Sequence, residues 1–183
     1  ENAAYEARIN EAEEALSRRG FPRTAIFRQP VVWGEHDQYQ HVNNAHYIRW
    51  FESARMRWME RMSRTLSPEI ASNLVRGRGV GIILASTYCR YRRPVTYPDT
   101  VVIGQAALPM KFADRVTVRS QAYSVAQSAI VAEADFECVA YDYDRLCKSS
   151  LPPEVADALR AWTYTGEDKE PYCQKTSRRR TVS

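Results

Sequence analysis

The sequence predicts an α+β domain in which an antiparallel sheet wraps around one long helix. The first observation is a stripe of bulky apolar side chains at three- and four-residue steps across residues 44–63, the period of a buried helix face. The second is a series of strand-like runs after it, separated by connections of a few residues. Short connections imply antiparallel neighbours. Because a helix this apolar must be covered, we expect the sheet to enclose it.

Two elements are predicted before the long helix. Residues 3–19 contain Ala, Glu and Arg in helical proportions, and Gly20-Phe21-Pro22 ends this helix. Because it has few large apolar residues, we expect it on the surface or against a partner. Residues 24–33 form the predicted first strand, in which Pro30 favours a sheet edge or a bulge.

The long helix gives the strongest helical signal in the chain. Its apolar positions are Tyr47, Ile48, Phe51, Ala54, Trp58, Met59 and Met62. Asn43 or Asn44 suits the N-cap position, because an Asn side chain accepts from the first free backbone N–H groups. A shorter helix is predicted from Ser67 to near Gly77.

Most of the remaining chain is predicted to be strand, in runs at residues 80–94, 100–108, 114–125 and 130–140. In the third and fourth runs, apolar and polar residues alternate, so each run has one apolar face. In the third run this face carries Val116, Val118 and Ala122, and in the fourth it carries Ile130, Ala132, Ala134, Phe136 and Cys138. A last helix is predicted from the Pro152-Pro153 pair to Trp162. Beyond Gly166 the chain is polar, and we expect it to be disordered or to lie on a partner.

Composition limits the classes of function. The 183 residues suit one domain, and 22 acidic residues spread among 26 basic ones give a net charge of +4. This charge does not call for nucleic acid, except within a larger ribonucleoprotein assembly. No run reaches the roughly 18 to 20 apolar residues of a membrane span. The four cysteines match no zinc or haem spacing, and we expect reduced thiols in an intracellular protein.

All three histidines fall within residues 33–47, which read WGEHDQYQHVNNAHY. A metal site is not favoured, because five-residue spacing would turn neighbouring histidines about 140° apart on a helix. No zinc-binding pattern is present either. A nucleophilic triad is also weakly supported, since the chain has no G-x-S-x-G motif and no serine or cysteine placed beside a histidine.

The same segment suits a third kind of site, at the start of a helix. Asp37 precedes Asn43 and Asn44, where free N–H groups and the positive end of the helix dipole can polarise a carbonyl. A carboxylate beside such a carbonyl acts as a nucleophile or as a general base for water. The alternative is that Asp37 only caps a turn and Asn43 only caps the helix.

Residues 33–55 also carry a longer pattern. Trp33-Gly34-Glu35-His36-Asp37 is followed by His41-Val42-Asn43-Asn44, then by Tyr47-Ile48-Arg49-Trp50-Phe51-Glu52 and by Arg55. This pattern resembles the hotdog-fold thioesterases of the 4-hydroxybenzoyl-CoA thioesterase type, over roughly residues 25–162. The resemblance implies a hotdog domain at residues 23–163, with an N-terminal helical extension at residues 1–22 and a polar tail at residues 164–183.

The resemblance also implies a site and an assembly. Asp37 would act on an acyl-CoA thioester whose carbonyl is polarised by the backbone N–H near Asn44. The substrate pocket would include His41, Gln40, Asn43 and Tyr47. The implied assembly is a homodimer or homotetramer with sheets joined edge to edge and the site between subunits. No cofactor and no metal are implied.

Two positions depart from the family pattern. Glu35 stands at the first acidic position, and Gln40 stands where the family usually has glycine. Glycine there permits either a backbone geometry or a close approach of substrate that a side chain hinders. Gln40 is therefore expected to narrow the site for a particular acyl group, or to mark a chain that lost the reaction. His41 is expected to organise the loop or border the pocket, and His36 and His46 to be solvated or packed. The expected contacts for CoA phosphates are Arg92, Arg93, Lys111 and Arg115.

Three hypotheses follow from the sequence. The leading one is an acyl-CoA thioesterase. The second is a non-catalytic hotdog subunit of a larger assembly, suggested by Gln40, the N-terminal helix and the basic C-terminal tail. The third is a hydratase or dehydratase with His41 and Asp37 as its proton-transfer pair. Because the chain begins at Glu1, a removed presequence or a trimmed chain is expected, and we favour the mitochondrial matrix over the cytoplasm.

Overall fold

The computed structural model describes residues 2–172, and their order of elements is helix, strand, long helix, short helix, strands and a last helix. The helices are α1 (Asn2–Arg18), α2 (Asn44–Ser63), α3 (Pro68–Arg76) and α4 (Pro153–Ala161). The strands are β1 (Ile26–Pro30), β2 (Val80–Tyr91), β3 (Thr100–Ala107), β4 (Arg115–Ser124), β5 (Ala129–Asp142) and β6 (Cys147–Lys148). The predicted elements are all present, although the first strand is five residues long rather than the ten expected.

The strands form one six-stranded antiparallel sheet in the order β1-β3-β4-β5-β2, with β6 paired to β5. Strand β1 lies at one edge, in agreement with the Pro30 prediction, because a proline cannot donate to a second neighbour. Strand β2 lies at the other edge, and among residues 2–172 its one partner strand is β5. The α+β arrangement predicted from the sequence is confirmed, and the sheet curls around α2.

Helix α2 fills the inner face of the sheet. Phe51 and Trp58 are each 1% exposed, and the Phe51 ring packs edge-on against Phe136 of β5 at 5.8 Å between centroids. Burial of side chains of this size contributes about 1.5–3 kcal/mol each to folding. Asn43 is the N-cap of α2, and its side chain accepts from the Ala45 N–H at 2.9 Å. The core therefore fixes the position of the helix start.

The outer face of the sheet is covered as well, which the sequence did not predict. Helix α1 buries Ile9, Ala12 and Leu16 against β3 and β4 of its own chain. Most residues of α1 are exposed, so the expected surface position is confirmed, while the buried side of the helix packs on the sheet of its own chain. Val102 of β3, on the outer face, is fully buried in this second cluster.

The chain after α4 also packs on the outer face. Tyr164 and Tyr172 are 5% and 9% exposed. The Arg119 guanidinium, fully buried, donates to the Asp135 carboxylate at 3.0 and 3.1 Å, and also to the backbone oxygens of Asp168 and Glu170. The expectation that the chain beyond Gly166 is disordered or lies on a partner is wrong for residues 167–172, because Arg119 binds the carbonyls of Asp168 and Glu170. The remainder of the tail, including Cys173 and Arg178 to Arg180, lies outside the described residues.

A β-bulge changes one predicted side-chain direction. The register between β4 and β5 shifts by one residue between Ala122 and Tyr123, so Val131 is the extra residue. Ile130 therefore packs in the α1 cluster rather than with Ala132 and Phe136 in the α2 core.

The three described cysteines, Cys89, Cys138 and Cys147, carry free thiols. Within residues 2–172, no helix has the length and apolar character to cross a membrane.

Candidate active site

The loop between β1 and α2 is held in place by backbone hydrogen bonds to the segment before β3. The Val42 N–H donates to the Val95 carbonyl at 2.8 Å, and the Val31 N–H donates to Asp99 at 3.0 Å. Across the loop, the Asn43 N–H donates to the Glu35 carbonyl at 2.9 Å. The loop ends are thus tied to each other and to the sheet, so the residues between them have a defined position.

Glu35 anchors this loop to the long helix. One carboxylate oxygen accepts from the indole N–H of Trp50 on α2 at 2.9 Å, and the other accepts from the Val32 N–H at 2.8 Å. His46 lies at 3.7 Å from the same carboxylate. The sequence marked Glu35 only as a mild departure from a family pattern, and this anchoring role was missed. An acidic residue fifteen positions before a buried Trp was the available signal.

Asp37 lies in the turn at the loop's tip. Its side-chain Oδ1 accepts from the Tyr39 N–H at 2.8 Å, and its backbone N–H and carbonyl bond to His41 and Gln40. Asp37 therefore does cap a turn, as one alternative held. Its second oxygen has no hydrogen-bond partner among the described residues, and the side chain lines a cavity of about 690 Å³. Turn capping and chemistry in the cavity are compatible, because each uses a different oxygen.

The helix start lines the same cavity. The Asn43 side chain and carbonyl take the N–H groups of Ala45 and His46. Within the described chain, these bonds leave the Asn44 N–H without an acceptor. An unpaired N–H at a helix N-terminus carries the positive end of the helix dipole and is a preorganised donor for an oxyanion. The carboxylate and the donor predicted from the sequence are thus brought together.

Two of the three tyrosines in the cavity walls, Tyr47 and Tyr91, have a raised pKa. The remaining lining residues are Tyr39, His41, Val42, Tyr47, Tyr91, Arg92, Arg93 and Pro94. Burial raises the pKa of Tyr47 and of Tyr91 to about 12, so neither phenol is a base at neutral pH. Tyr91 donates to the Asn44 carbonyl at 3.2 Å and its ring packs on Tyr47. Burial also raises the pKa of the nearby Cys89 thiol, which disfavours a thiolate nucleophile.

The three histidine side chains lie in three different environments. The His36 ring accepts from the Tyr97 N–H at 2.8 Å, and His46 faces Glu35. His41 is exposed and lines the Asp37 cavity, in agreement with a position at the pocket border. Within residues 2–172, no group of three or more His, Cys, Asp or Glu side chains gathers as a metal site requires.

Gln40 does not belong to the cavity, in contrast to the prediction. Its side chain is exposed and is absent from the cavity walls, while its backbone has a φ of 62°. This is the left-handed region that glycine adopts without cost. The glycine that the family pattern has here is therefore explained by the backbone turn, and Gln40 adopts the same conformation under strain. His41, Asn43 and Tyr47 do line the cavity.

The four basic residues predicted to bind CoA separate into two pairs. Arg92 and Arg93 line the Asp37 cavity, and Arg92 is held by hydrogen bonds to Glu133 of β5, one of them 2.7 Å long. Lys111 and Arg115 line a different cavity, formed by the β3–β4 connection. Of these four residues, Arg92 and Arg93 share a cavity with Asp37, and Lys111 and Arg115 do not.

Comparisons with known proteins agree with this architecture. A family model described as the thioesterase-like superfamily matches residues 31–159. A relative from Aquifex aeolicus (strain VF5), provisionally named an esterase, is 24% identical over 135 residues, which cover 74% of this chain and 97% of the relative.

Solved structures show the same fold. A protein from Pseudomonas aeruginosa strain PAO1 superposes with a TM-score of 0.67 at 21% identity, covering 82% of this chain and 97% of its own. A 1,4-dihydroxy-2-naphthoyl-CoA thioesterase from Synechocystis superposes with a TM-score of 0.62 at 15% identity, covering 74% of this chain and 94% of its own.

The curled antiparallel sheet around α2 is a hotdog fold, as the sequence predicted. The matched segment spans well over half of the 183 residues, and the chain belongs to the thioesterase-like superfamily. Family membership supports hydrolysis of a thioester as the general class of reaction.

Proposed function

We propose that the protein is an acyl-CoA thioesterase in which Asp37 drives attack on a thioester carbonyl held at the start of α2. The observation that carries the proposal is that the Asp37 carboxylate and the unpaired Asn44 N–H line one cavity. The resemblance of residues 33–55 to the 4-hydroxybenzoyl-CoA type of thioesterase supports the same roles. Because their pKa values are raised, Tyr47, Tyr91 and Cys89 do not offer a phenolate or a thiolate at neutral pH that could replace Asp37.

The reaction needs only this chain's groups, water and the thioester. With the thioester oxygen at the Asn44 N–H, the carbonyl carbon becomes electrophilic, and the oxyanion formed on attack is stabilised by that N–H and the helix dipole. As a general base, Asp37 takes a proton from water while the hydroxide oxygen bonds to the carbonyl carbon. The C–S bond then breaks, and the CoA sulfur leaves with the proton from Asp37. A carboxylic acid and free CoA result.

Asp37 as nucleophile gives the same products through an anhydride. Its oxygen bonds to the carbonyl carbon, the thiolate leaves, and water then opens the mixed anhydride. A single turnover in H₂¹⁸O separates these two routes. Attack by water puts ¹⁸O directly into the acid product, whereas nucleophilic attack with hydrolysis at the aspartyl carbonyl leaves ¹⁸O in Asp37.

We propose that Arg92 and Arg93 bind CoA phosphates at the mouth of this cavity. Both residues line the cavity that contains Asp37, and Arg side chains suit phosphate recognition. Arg92 is already fixed by Glu133, so its position costs less to order on binding. A homodimer joined through the free edge of β2 is part of the proposal, because Leu84 is 45% exposed on that unpaired edge.

Two of the three features that suggested a non-catalytic subunit have explanations within the chain. Gln40 serves the backbone turn and leaves the cavity open, and α1 is seated on its own sheet. The third, the basic tail, lies outside the described residues. A hydratase would need His41 and Asp37 to share a proton path, whereas the hydrogen bond that joins these two residues in the described chain runs from the Asp37 N–H to the His41 carbonyl.

The experiment is a panel of acyl-CoA thioesters, from acetyl to palmitoyl together with benzoyl and 4-hydroxybenzoyl, assayed for release of free thiol. Native mass measurement of the same sample gives its oligomeric state. The proposal predicts turnover of at least one thioester by a homo-oligomer. No thiol release from any member of the panel would refute it, and hydration of an enoyl-CoA would favour the hydratase.

A further inference from the structure

A second cavity, of about 360 Å³, lies at the β3–β4 end of the sheet. The β3–β4 connection forms one wall, the middle of β2 forms another, and the segment at Lys169 and Pro171 closes a third side. It shares no lining residue with the Asp37 cavity. Its volume falls within the range of about 300–1,000 Å³ that small-molecule sites occupy in proteins. The proposed hydrolase chemistry makes no use of it.

Apolar side chains form much of this second cavity. Leu108, Met110 and Pro171 line it, together with Phe112, which is 62% exposed. An exposed phenyl ring at the mouth of an apolar cavity is unfavourable unless something covers it, since burial of such a ring contributes about 1.5–3 kcal/mol. The walls therefore suit a ligand with an apolar body.

The charges of the cavity are unbalanced. Its acidic residues have partners: Asp135 is paired with Arg119 at 3.0 Å, and Glu137 lies 3.6 Å from Arg115. Lys111 and Lys169 are exposed at its rim, and within residues 2–172 neither makes an ion pair. Two ammonium groups beside an apolar cavity, neither of them in an ion pair, favour an anion over a cation.

We propose that this second cavity binds an amphipathic carboxylate, with its hydrocarbon body against Leu108, Met110 and Phe112 and its carboxylate between Lys111 and Lys169. This ligand is of the same chemical class as the acid that thioester hydrolysis releases. The inference stands on the second cavity alone and holds whether or not Asp37 is catalytic.

Methionine methyl NMR of the full chain reports binding at this place. The chain has four methionines, and Met110 is the only one among the residues lining the second cavity, since Met56, Met59 and Met62 lie on α2. Octanoate is titrated into protein labelled with ¹³C at the methionine methyls. The expected result is a saturable shift of the Met110 methyl with the α2 methyls unmoved.

Head-group controls test the role of the lysines. Octanol and octyltrimethylammonium carry the same hydrocarbon chain without the negative charge, and we expect both to bind at least threefold more weakly than octanoate. Lys169→Glu is expected to weaken octanoate binding about three- to tenfold, as befits a charge reversal at an exposed position. Arg78→Glu, the same change of two charges on an exposed residue outside the cavity, is expected to leave it unchanged.

Each contrary outcome overturns the inference. Saturable octanoate binding that leaves Met110 unmoved would place the ligand elsewhere. Equal binding of octanol and octanoate, or equal effects of Lys169→Glu and Arg78→Glu, would remove the role of the lysines. A Met110 shift with CoA alone but not with octanoate would assign the cavity to a nucleotide. Loss of hydrolysis in the thioester panel has no bearing on any of these readings.

Discussion

Removal of the Glu35 carboxylate is expected to loosen the loop between β1 and α2. Its two oxygens accept from the Trp50 indole N–H and from the Val32 N–H, at 2.9 and 2.8 Å. Trp50 is 4% exposed, so Glu35→Ala leaves its indole N–H buried without an acceptor, at a cost of about 1–3 kcal/mol. Val32 is 57% exposed, and water can replace its bond at little cost. We expect Glu35→Ala to lower the unfolding free energy by about 1.5–3.5 kcal/mol.

A double-mutant cycle isolates the contact. Trp50→Phe removes the orphaned donor, so the double variant is expected to be about 1–2 kcal/mol more stable than the sum of the single effects predicts. Glu35→Gln is the matched control: its amide has one acceptor oxygen for two donors, and we expect about half of the loss seen with Glu35→Ala. Urea unfolding measures each free energy, and thiol release measures kcat/KM, which we expect to fall about tenfold in Glu35→Ala.

Additive effects of the Glu35 and Trp50 substitutions on the unfolding free energy would refute this prediction, because the two groups would then not be coupled. The prediction also fails if Glu35→Ala loses stability but keeps full kcat/KM. In that case the loop would hold Asp37 and Asn44 in place without this anchor.

Three further changes test other parts of the structure. Gln40→Gly is expected to exceed the matched Gln40→Ala in unfolding free energy by up to about 1 kcal/mol, because the φ of 62° strains any residue with a Cβ; equal stability would contradict this. Arg119→Met is expected to cost about 3–5 kcal/mol by leaving Asp135 buried and unpaired, and Arg119→Met with Asp135→Leu is expected to recover most of it, by the same unfolding assay. Because the pKa of Tyr47 rises from about 10 to about 12 on folding, its stabilisation is fully present below pH 10 and is lost as pH rises towards 12. Wild type is therefore expected to lose about 2–3 kcal/mol more than Tyr47→Phe over that interval, and parallel pH profiles would refute the assignment.

The inner half of the fold was predictable from local patterns. The long helix was predicted at residues 44–63 and begins and ends there, since its period of 3.6 persists over five turns and Asn43 supplies a cap. The outer half was not. Arg119, Asp135 and Glu133 alternate with apolar residues and so suggest a solvated face, whereas α1 and residues 164–172 cover them. Carbonyl groups 49 and 51 residues away satisfy Arg119, and no local pattern reports such a pairing.

The candidate site was predicted in its chemical parts but not in its supports. Asp37, His41 and the helix start could be identified because the loop motif is contiguous. Glu35's bond to Trp50 and Tyr91's approach to Asn44 depend on how the loop and β2 pack against α2. Gln40 shows a different error: it was predicted to line the substrate pocket, whereas its φ of 62° supports the other role considered for the family glycine, a backbone geometry. A mitochondrial location and a homo-oligomer stay predictions.

The most direct test of Asp37 as the catalytic carboxylate compares wild type with Asp37→Asn on the acyl-CoA of the panel that wild type hydrolyses fastest. The Asn side-chain oxygen can still accept from the Tyr39 N–H, so the turn is kept while the negative charge is lost. We expect kcat to be about 10²–10⁴-fold lower in Asp37→Asn than in wild type, and the unfolding free energies of the two proteins to agree within about 0.5 kcal/mol. Equal turnover by the two proteins would contradict this expectation.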